Sequence, residues 1–177
     1  MTGSLDFSIR QLGEARMHSP IKLSTRIGDA LANYVADDER VLYNVEFTSD
    51  TLGDALAPRG LLERAGPREQ LFFDPEGVHA GIVTCGGLCP GLNNVIRSVF
   101  NELKRNYGVP CVLGVRSGYQ GLNPQIGKPM LELHGEHVES IDKLGGTFLG
   151  SSRGPQEPST IVDSLQANGI DMLFCIG

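Results

Sequence analysis

Residues 84–94 read TCGGLCPGLNN and join the apolar run AGIV (80–83) to the helix-like stretch VIRSVFNELKR (95–105). Two adjacent glycines at this junction permit a sharp turn and let the backbone approach a ligand with no Cβ in the way. The amides after the turn and the start of the next helix can then point toward an anion. We interpret the junction as a candidate phosphate-binding loop, with a plain strand-to-helix connection as the alternative.

The segments on either side of this loop alternate between strand-like and helix-like patterns. Three short apolar runs are typical of buried parallel strands: HAGIVTC (79–85), PCVLGVR (110–116) and DMLFCIG (171–177). Two amphipathic stretches are predicted to be helices, VIRSVFNELKR and PSTIVDSLQANG (158–169). The predicted core-facing residues of the first helix are Val95, Ile96, Val99 and Leu103. This alternation predicts a three-layer α/β domain with a mostly parallel sheet.

The first 77 residues carry weaker signals. A short helix is predicted where Ser24 or Thr25 would cap an apolar face made of Ile27, Leu31 and Tyr34. VLYNVEF (41–47) is predicted to be a strand. We expect residues 1–77 to form an N-terminal extension of the α/β domain over residues 78–177, with a small independent subdomain as the alternative.

A second glycine-rich segment, GGTFLGSSRGP (145–155), places Arg153 among small residues. The planar guanidinium fork matches phosphate oxygens bidentately, and small neighbours leave it accessible. An exposed arginine in a flexible loop is the alternative interpretation. Because two such segments occur in one small α/β unit, together they favour phosphate binding more than either does alone.

Composition bears on the partners and the compartment. The chain has 177 residues, a formal charge of −6 and no basic stripe, so we expect it to bind neither nucleic acid nor anionic lipid. No apolar run reaches the length of a membrane span, so no membrane association is expected. The four cysteines lack a disulfide-like spacing, and we expect reduced thiols in a cytoplasmic protein.

The sequence predicts no metal site. Cys85 and Cys89 share one loop, but no second cysteine pair and no nearby histidine completes a ligand set. His134 and His137 lack a third ligand in the sequence, and we interpret them as surface histidines before a short helix.

The sequence ends at Ile176 and Gly177, the carboxyl end of the third predicted strand. Ligands of open α/β sheets bind just past such strand ends. We therefore expect this chain to be the amino-terminal part of a longer protein.

Three motifs in this order, TCGGLCPGLNNVIR (84–97), GYQGL (118–122) and GGTFLGSSRGP, resemble the 6-phosphofructokinase family. LCPGLN together with SSRGP resembles the long-chain ATP-type branch that includes trypanosomatid and plant enzymes, with pyrophosphate-dependent relatives. The likeness covers residues 78–177 and is looser before them. It implies a Rossmann-like donor-binding domain, incomplete here. It also implies transfer of a phosphoryl group from ATP, or from pyrophosphate, to the 1-hydroxyl of fructose 6-phosphate in glycolysis.

The resemblance also implies roles for single residues. Gly87 would lie against the donor phosphates through its backbone, with Gly86 beside it in the turn. Arg153 would reach the transferring phosphoryl group as the catalytic residue, and Gly154 would line the nucleotide site. Tyr119 would stand near the donor phosphates, with a packed surface aromatic as the alternative.

Other parts of the family's machinery are expected beyond residue 177. The resemblance implies that Mg²⁺ bridges the donor phosphates through a segment that would begin at Gly177, and that an aspartate further on deprotonates the sugar. The 177-residue chain is therefore expected to be inactive by itself. Leu88 stands where short bacterial enzymes carry an acidic residue, and Asn101 stands where their effector site has the partner of Arg97. The departure at Asn101 argues against the same allosteric control. The family likeness further implies a homo-oligomer, a tetramer or a dimer.

Two further function classes stay open at this point. One is a NAD-binding oxidoreductase domain, against which the missing Gly-x-Gly-x-x-Gly fingerprint argues, as does Arg116 at the end of the second strand. The other is a non-catalytic nucleotide-binding module.

Overall fold

The computed structural model describes residues 7–57 and 60–177, which form two compact units. The first unit extends to Phe72, and the second comprises Phe73–Gly177. The interpretation of these units as an extension and a donor-binding domain stays a prediction. Within the described ranges, no helix has the length and apolar character needed to cross a bilayer.

The first unit contains two short antiparallel ladders and one helical turn. Strand β1 (Met17–His18) pairs with β4 (Gln70–Leu71), and strand β2 (Arg40–Leu42) pairs with β3 (Leu61–Glu63). Helix α1 (Leu52–Ala55) lies between β2 and β3 in the chain. The predicted strand over 41–47 was too long, because the chain leaves β2 after Leu42 and turns where Glu46 N–H donates to Asn44 Oδ1, 3.2 Å away.

The helix predicted after Ser24 was wrong. The backbone turns through Gly28 and Ala30, whose φ angles of 88° and 63° interrupt a right-handed helix. Ser24 Oγ accepts from Arg26 N–H at 2.9 Å, and Asp29 Oδ1 accepts from Leu31 N–H at 3.0 Å. Short polar side chains therefore take the backbone donors that a helix would have used.

The second unit is built on a four-stranded sheet in the order β7-β6-β5-β8. The strands are β5 (His79–Thr84), β6 (Cys111–Val115), β7 (Leu131–Glu132) and β8 (Met172–Ile176). Strand β5 is central and runs parallel to both β6 and β8, while β7 pairs antiparallel with β6. The predicted mostly parallel sheet is confirmed, and its three predicted strands are found.

Three helices and several short turns connect these strands. Helix α2 (Leu92–Asn101) continues into a π-helical turn (Glu102–Asn106) that leads to β6. Helix α3 is a single turn (Gly135–Val138), and helix α4 (Pro158–Ala167) precedes β8. The 3₁₀ segments of this unit are Pro75–Gly77, Gly118–Leu122 and Ile141–Lys143.

Burial on both faces of β5 gives the unit its three layers. Ala80 and Ile82 face a cluster that includes Ile96, Phe100 and Leu103 from α2 and its extension. Val83 faces the other way, into a smaller cluster with Val115 and Leu122. Ile161 and Leu165 of α4 pack against this second cluster. Helices therefore cover both faces of the sheet, as the sequence pattern predicts.

Two details of the predicted core are corrected. Val95 is 42% exposed, because the inward face of α2 is set by the spacing of Leu92, Ile96 and Phe100, and Val95 lies beside it. Strand β8 was predicted to be buried but is half-buried, with Cys175 exposed, because the sheet continues on only one side of it in the described residues.

The corrected helix face gives a direct stability test. Ile96→Ala should lower the free energy of unfolding by about 2–5 kcal/mol, because Ile96 is fully buried and its loss leaves a cavity. Urea denaturation followed by circular dichroism measures this change. Val95→Ala, one position along the same helix, is the matched control and should change the stability by less than about 1 kcal/mol. Equal losses for the two variants would contradict the assignment of the buried face.

Candidate functional site

The two glycine-rich segments meet at one cavity of about 340 Å³. It lies beyond the carboxyl end of β5, on the side of the sheet where parallel α/β folds bind ligands. The lining residues are Gly86, Gly87, Leu88, Thr147, Gly150, Ser151, Ser152 and Arg153. The structure thus brings Gly86, Gly87 and Arg153 together, although about 65 residues separate the two segments in the sequence.

The first segment leaves the sheet abruptly. Cys85 N–H donates to Ile176 O at 2.9 Å, which extends the pairing of β5 with β8 by one residue. The chain then turns at Gly86, where φ is 79°, and enters α2 through Gly91, where φ is 93°. Both angles lie in the left-handed region that favours glycine. Pro90 precedes the N-cap residue Gly91, so the helix begins two residues after this proline.

The second segment brings a cation to the cavity. Arg153 is exposed, and a Cβ atom built on Gly87 would lie 3.9 Å from its Nη2 atom. None of the described residues forms a hydrogen bond or an ion pair with the Arg153 guanidinium. The cavity is lined by this guanidinium, serine and threonine hydroxyls and glycine backbone, with no carboxylate among the lining residues. These groups fit an anion with several oxygen atoms.

Two buried polar side chains tie the segments to each other. Thr84 Oγ1, fully buried at the end of β5, donates to Gly150 O at 2.7 Å and accepts from the Thr147 hydroxyl at 2.9 Å. Asn93, 3% exposed in the first turn of α2, donates through Nδ2 to Leu144 O at 3.0 Å. Its Oδ1 atom accepts from Phe148 N–H at 2.6 Å.

Sequence reasoning assigned no role to Thr84 or Asn93. One signal was present for Asn93: it lies three residues before Ile96 and seven before Phe100, so a polar side chain occupies the buried face of an amphipathic helix. A third contact between the segments is made by Ser151, whose Oγ donates to Gly86 O at 2.7 Å.

Tyr119 and Gly154 do not line the cavity. Gly154 follows Arg153 with a φ of 104° and is exposed. Tyr119 is half-buried and packs against the smaller core cluster. Hydrogen bonds with the Cys175 and Cys85 thiols, with burial as a lesser cause, raise the pKa of the Tyr119 phenol well above its usual range. The roles that the family likeness implies for these two residues stay predictions.

The remaining candidates lie apart from the cavity or form no cluster. Across the ranges 7–57 and 60–177, no group of three or more His, Cys, Asp or Glu side chains could hold a metal ion. His134 N–H donates to His137 Nδ1 at 3.1 Å in the short helix α3. Arg97 lies on α2 with its Nε atom 4.0 Å from Asp142 Oδ1, a half-exposed ion pair.

Comparison with known proteins places these residues in a family. The sequence profile named Phosphofructokinase matches residues 79–177. An ATP-dependent 6-phosphofructokinase of Borreliella burgdorferi is 42% identical over 98% of this chain and 38% of its own length. The ATP-dependent 6-phosphofructokinase of Trypanosoma cruzi is 48% identical over 66% of this chain and 24% of its own length. The chain therefore spans well under half the length of the curated relatives it matches.

One solved structure agrees with this placement. The crystal structure of Pichia pastoris phosphofructokinase in the T-state superimposes with a TM-score of 0.50 and 28% sequence identity. The match covers 63% of this chain and 12% of that chain.

The environment of Tyr119 predicts an alkaline titration. Hydrogen bonding and burial favour the neutral phenol in the folded protein, so the folded pKa lies above the unfolded value of about 10. The contribution of the neutral Tyr119 phenol to the stability of the fold is present below the unfolded-state pKa. It is lost as the pH rises through the folded-state pKa. In a pH titration followed by absorbance at 295 nm, one phenol should ionise at a higher pH than the others. This late phase should be missing in Tyr119→Phe.

Two further variants check the cause of this shift. Cys175→Ala should lower the pKa of the Tyr119 phenol, because it removes the largest contribution. Tyr43→Phe removes an exposed phenol of the first unit and should leave the late phase in place. A late phase that survives Tyr119→Phe would contradict the assignment.

Proposed function

The chain belongs to the phosphofructokinase family, and on that basis we propose that it is part of an ATP-dependent 6-phosphofructokinase. The reaction is transfer of a phosphoryl group from ATP to the 1-hydroxyl of fructose 6-phosphate, which gives fructose 1,6-bisphosphate. The observation that carries this proposal is the cavity in which the Arg153 guanidinium faces the Gly86–Gly87 backbone. The names of the Borreliella burgdorferi and Trypanosoma cruzi relatives support ATP as the donor.

The geometry suits the demands of phosphoryl transfer. In that reaction the moving group carries charge on its oxygens, so catalysis consists mostly of positioning and charge stabilisation. We assign Arg153 to the moving phosphoryl group, because its guanidinium is accessible and engages no described partner. We assign Gly86 and Gly87 to the other donor phosphates, because their backbone borders the cavity without a Cβ atom. Gly154 beside Arg153, and Tyr119, remain candidates for the wider donor site.

The cavity does not fit a resident magnesium ion. Mg²⁺ prefers carboxylate oxygens and water, and the residues that line the cavity include no Asp or Glu. The lining residues of this cavity therefore contribute to the proposed reaction without holding a metal ion. Binding of Mg²⁺ by residues beyond 177 remains an expectation, as do a homo-oligomeric assembly and a cytoplasmic location.

A coupled assay of the full-length protein tests the proposal. With ATP, Mg²⁺ and fructose 6-phosphate, the protein should produce fructose 1,6-bisphosphate and ADP, because the chain belongs to the family and its cavity brings Arg153 to the Gly86–Gly87 backbone. The same assay with pyrophosphate in place of ATP should give little product. Activity with pyrophosphate but not with ATP would show that pyrophosphate is the donor. Inactivity with both donors would overturn the proposal.

Replacing Arg153 tests the residue on which the mechanism depends. Arg153→Ala in the full-length enzyme should lower kcat on the order of 10²–10³-fold, a loss typical of removing one charge-stabilising donor from an active site. The KM for fructose 6-phosphate should change much less, because Arg153 is assigned to the donor side. Arg105→Ala is the control, since Arg105 is exposed at the far end of the α2 extension. Similar kinetics for the two variants would remove Arg153 from the mechanism.

A further inference from the structure

Buried polar side chains are rare in this protein, and two of them serve the same segment. Among the described residues, the buried polar side chains are those of Thr84, Asn93 and Ser164. The four hydrogen bonds of Thr84 and Asn93 all end within residues 144–150. That segment leads directly into Ser151, Ser152 and Arg153. A buried polar group is costly unless its bonds are made, so these bonds hold the segment in one place.

The two side chains also bracket the first glycine-rich loop. Thr84 is the last residue of β5, before Gly86 and Gly87, and Asn93 follows Gly91 in the first turn of α2. Both ends of the loop are therefore bonded to the segment that carries Arg153. Between these ends, the backbone passes through Gly86 and Gly91, which have positive φ angles and do not by themselves favour a single conformation.

We propose that Thr84 and Asn93 are positioning residues, a polar clamp that holds Arg153 in register with the Gly86–Gly87 loop. This inference rests on the proposed function, because it concerns the same cavity. Neither side chain lines the cavity, so neither touches the donor. They act on residues 144–150 through three bonds to the backbone and one to the Thr147 hydroxyl, and thus on the position of the Arg153 guanidinium.

The clamp predicts a specific kinetic signature. Thr84→Val keeps the volume of the side chain but removes both hydrogen bonds of the hydroxyl. In the full-length enzyme, kcat should fall roughly tenfold, because small displacements of a catalytic group are costly. The KM for fructose 6-phosphate should stay within about twofold. Thr84→Ser restores the hydroxyl and should recover most of the lost kcat.

A double-mutant cycle separates positioning from general loss of structure. If Thr84 acts through Arg153, Thr84→Val should change kcat by less than about twofold when Arg153→Ala is already present. If Thr84 only supports the fold, the tenfold loss should appear in both backgrounds, and the proposal fails. Ser164→Ala is the control for loss of a buried hydroxyl, because Ser164 lies on α4 outside the clamp.

Asn93 gives a second, independent readout. Asn93→Leu, of similar size, should repeat the kcat loss and its disappearance in the Arg153→Ala background. Amide hydrogen exchange should also quicken at residues 148–153 in Asn93→Leu and Thr84→Val, relative to Thr84→Ser and Ser164→Ala. If the wild-type enzyme proves inactive, the proposed function fails, and this exchange pattern still decides the clamp. Equal exchange in all four variants overturns it.

Discussion

The second unit depends on one constraint, the burial of strand β5 between two parallel neighbours. Each backbone N–H and C=O of a buried strand needs a partner, and β6 and β8 supply them on either side of His79–Thr84. Parallel neighbours require crossover connections, which place α2 on one face and α4 on the other. The carboxyl ends of all three strands then lie at one edge of the sheet. The cavity forms at that edge, where the glycine loop that leaves β5 meets the segment before α4 that carries Arg153.

Glycine-rich loops create a difficulty that the buried polar groups resolve. Glycine lets the backbone approach phosphate closely, but it also has the most conformational freedom to lose on folding. A hydrogen bond adds only about 0.5–1.5 kcal/mol to stability, so a few bonds cannot order two long loops along their whole length. They can order only those parts of the loops where several bonds are concentrated. Thr84 and Asn93 are bonded at the two ends of the first loop, and the glycines that face the cavity lie between them.

Most elements of the second unit were predictable, because burial sets a simple period in the sequence. Strands β5, β6 and β8 and helix α4 lie within the predicted stretches, since each buries a short apolar run or an apolar stripe. Strand β7 was not predicted, because two residues paired with β6 leave no period to detect. The turn-rich path after Ser24 was missed because its side-chain hydrogen bonds compete with the helix that the apolar spacing favoured.

The site was predictable only in part. Gly86, Gly87 and Arg153 were found through residue chemistry and family likeness, and the structure brings them to one cavity. Thr84 and Asn93 were missed because their partners lie 51 to 66 residues further along the chain, and no local pattern reports such contacts. Tyr119 was expected near the donor; it packs against the smaller core cluster and does not line the cavity, and its role stays a prediction.

The charge of the chain explains why geometry matters so much at this cavity. With a formal charge of −6, these 177 residues do not attract a polyanion at long range. Screening limits exposed charges to distances of about 10 Å, so attraction must come from groups at the cavity itself. Arg153 is the cation that lines it, and a guanidinium fork binds phosphate bidentately only when both N–H groups are aligned. Under the proposed function, a cavity lined by one cation in an acidic chain would gain its specificity from where that cation is held. The buried contacts that hold it would then be part of the recognition.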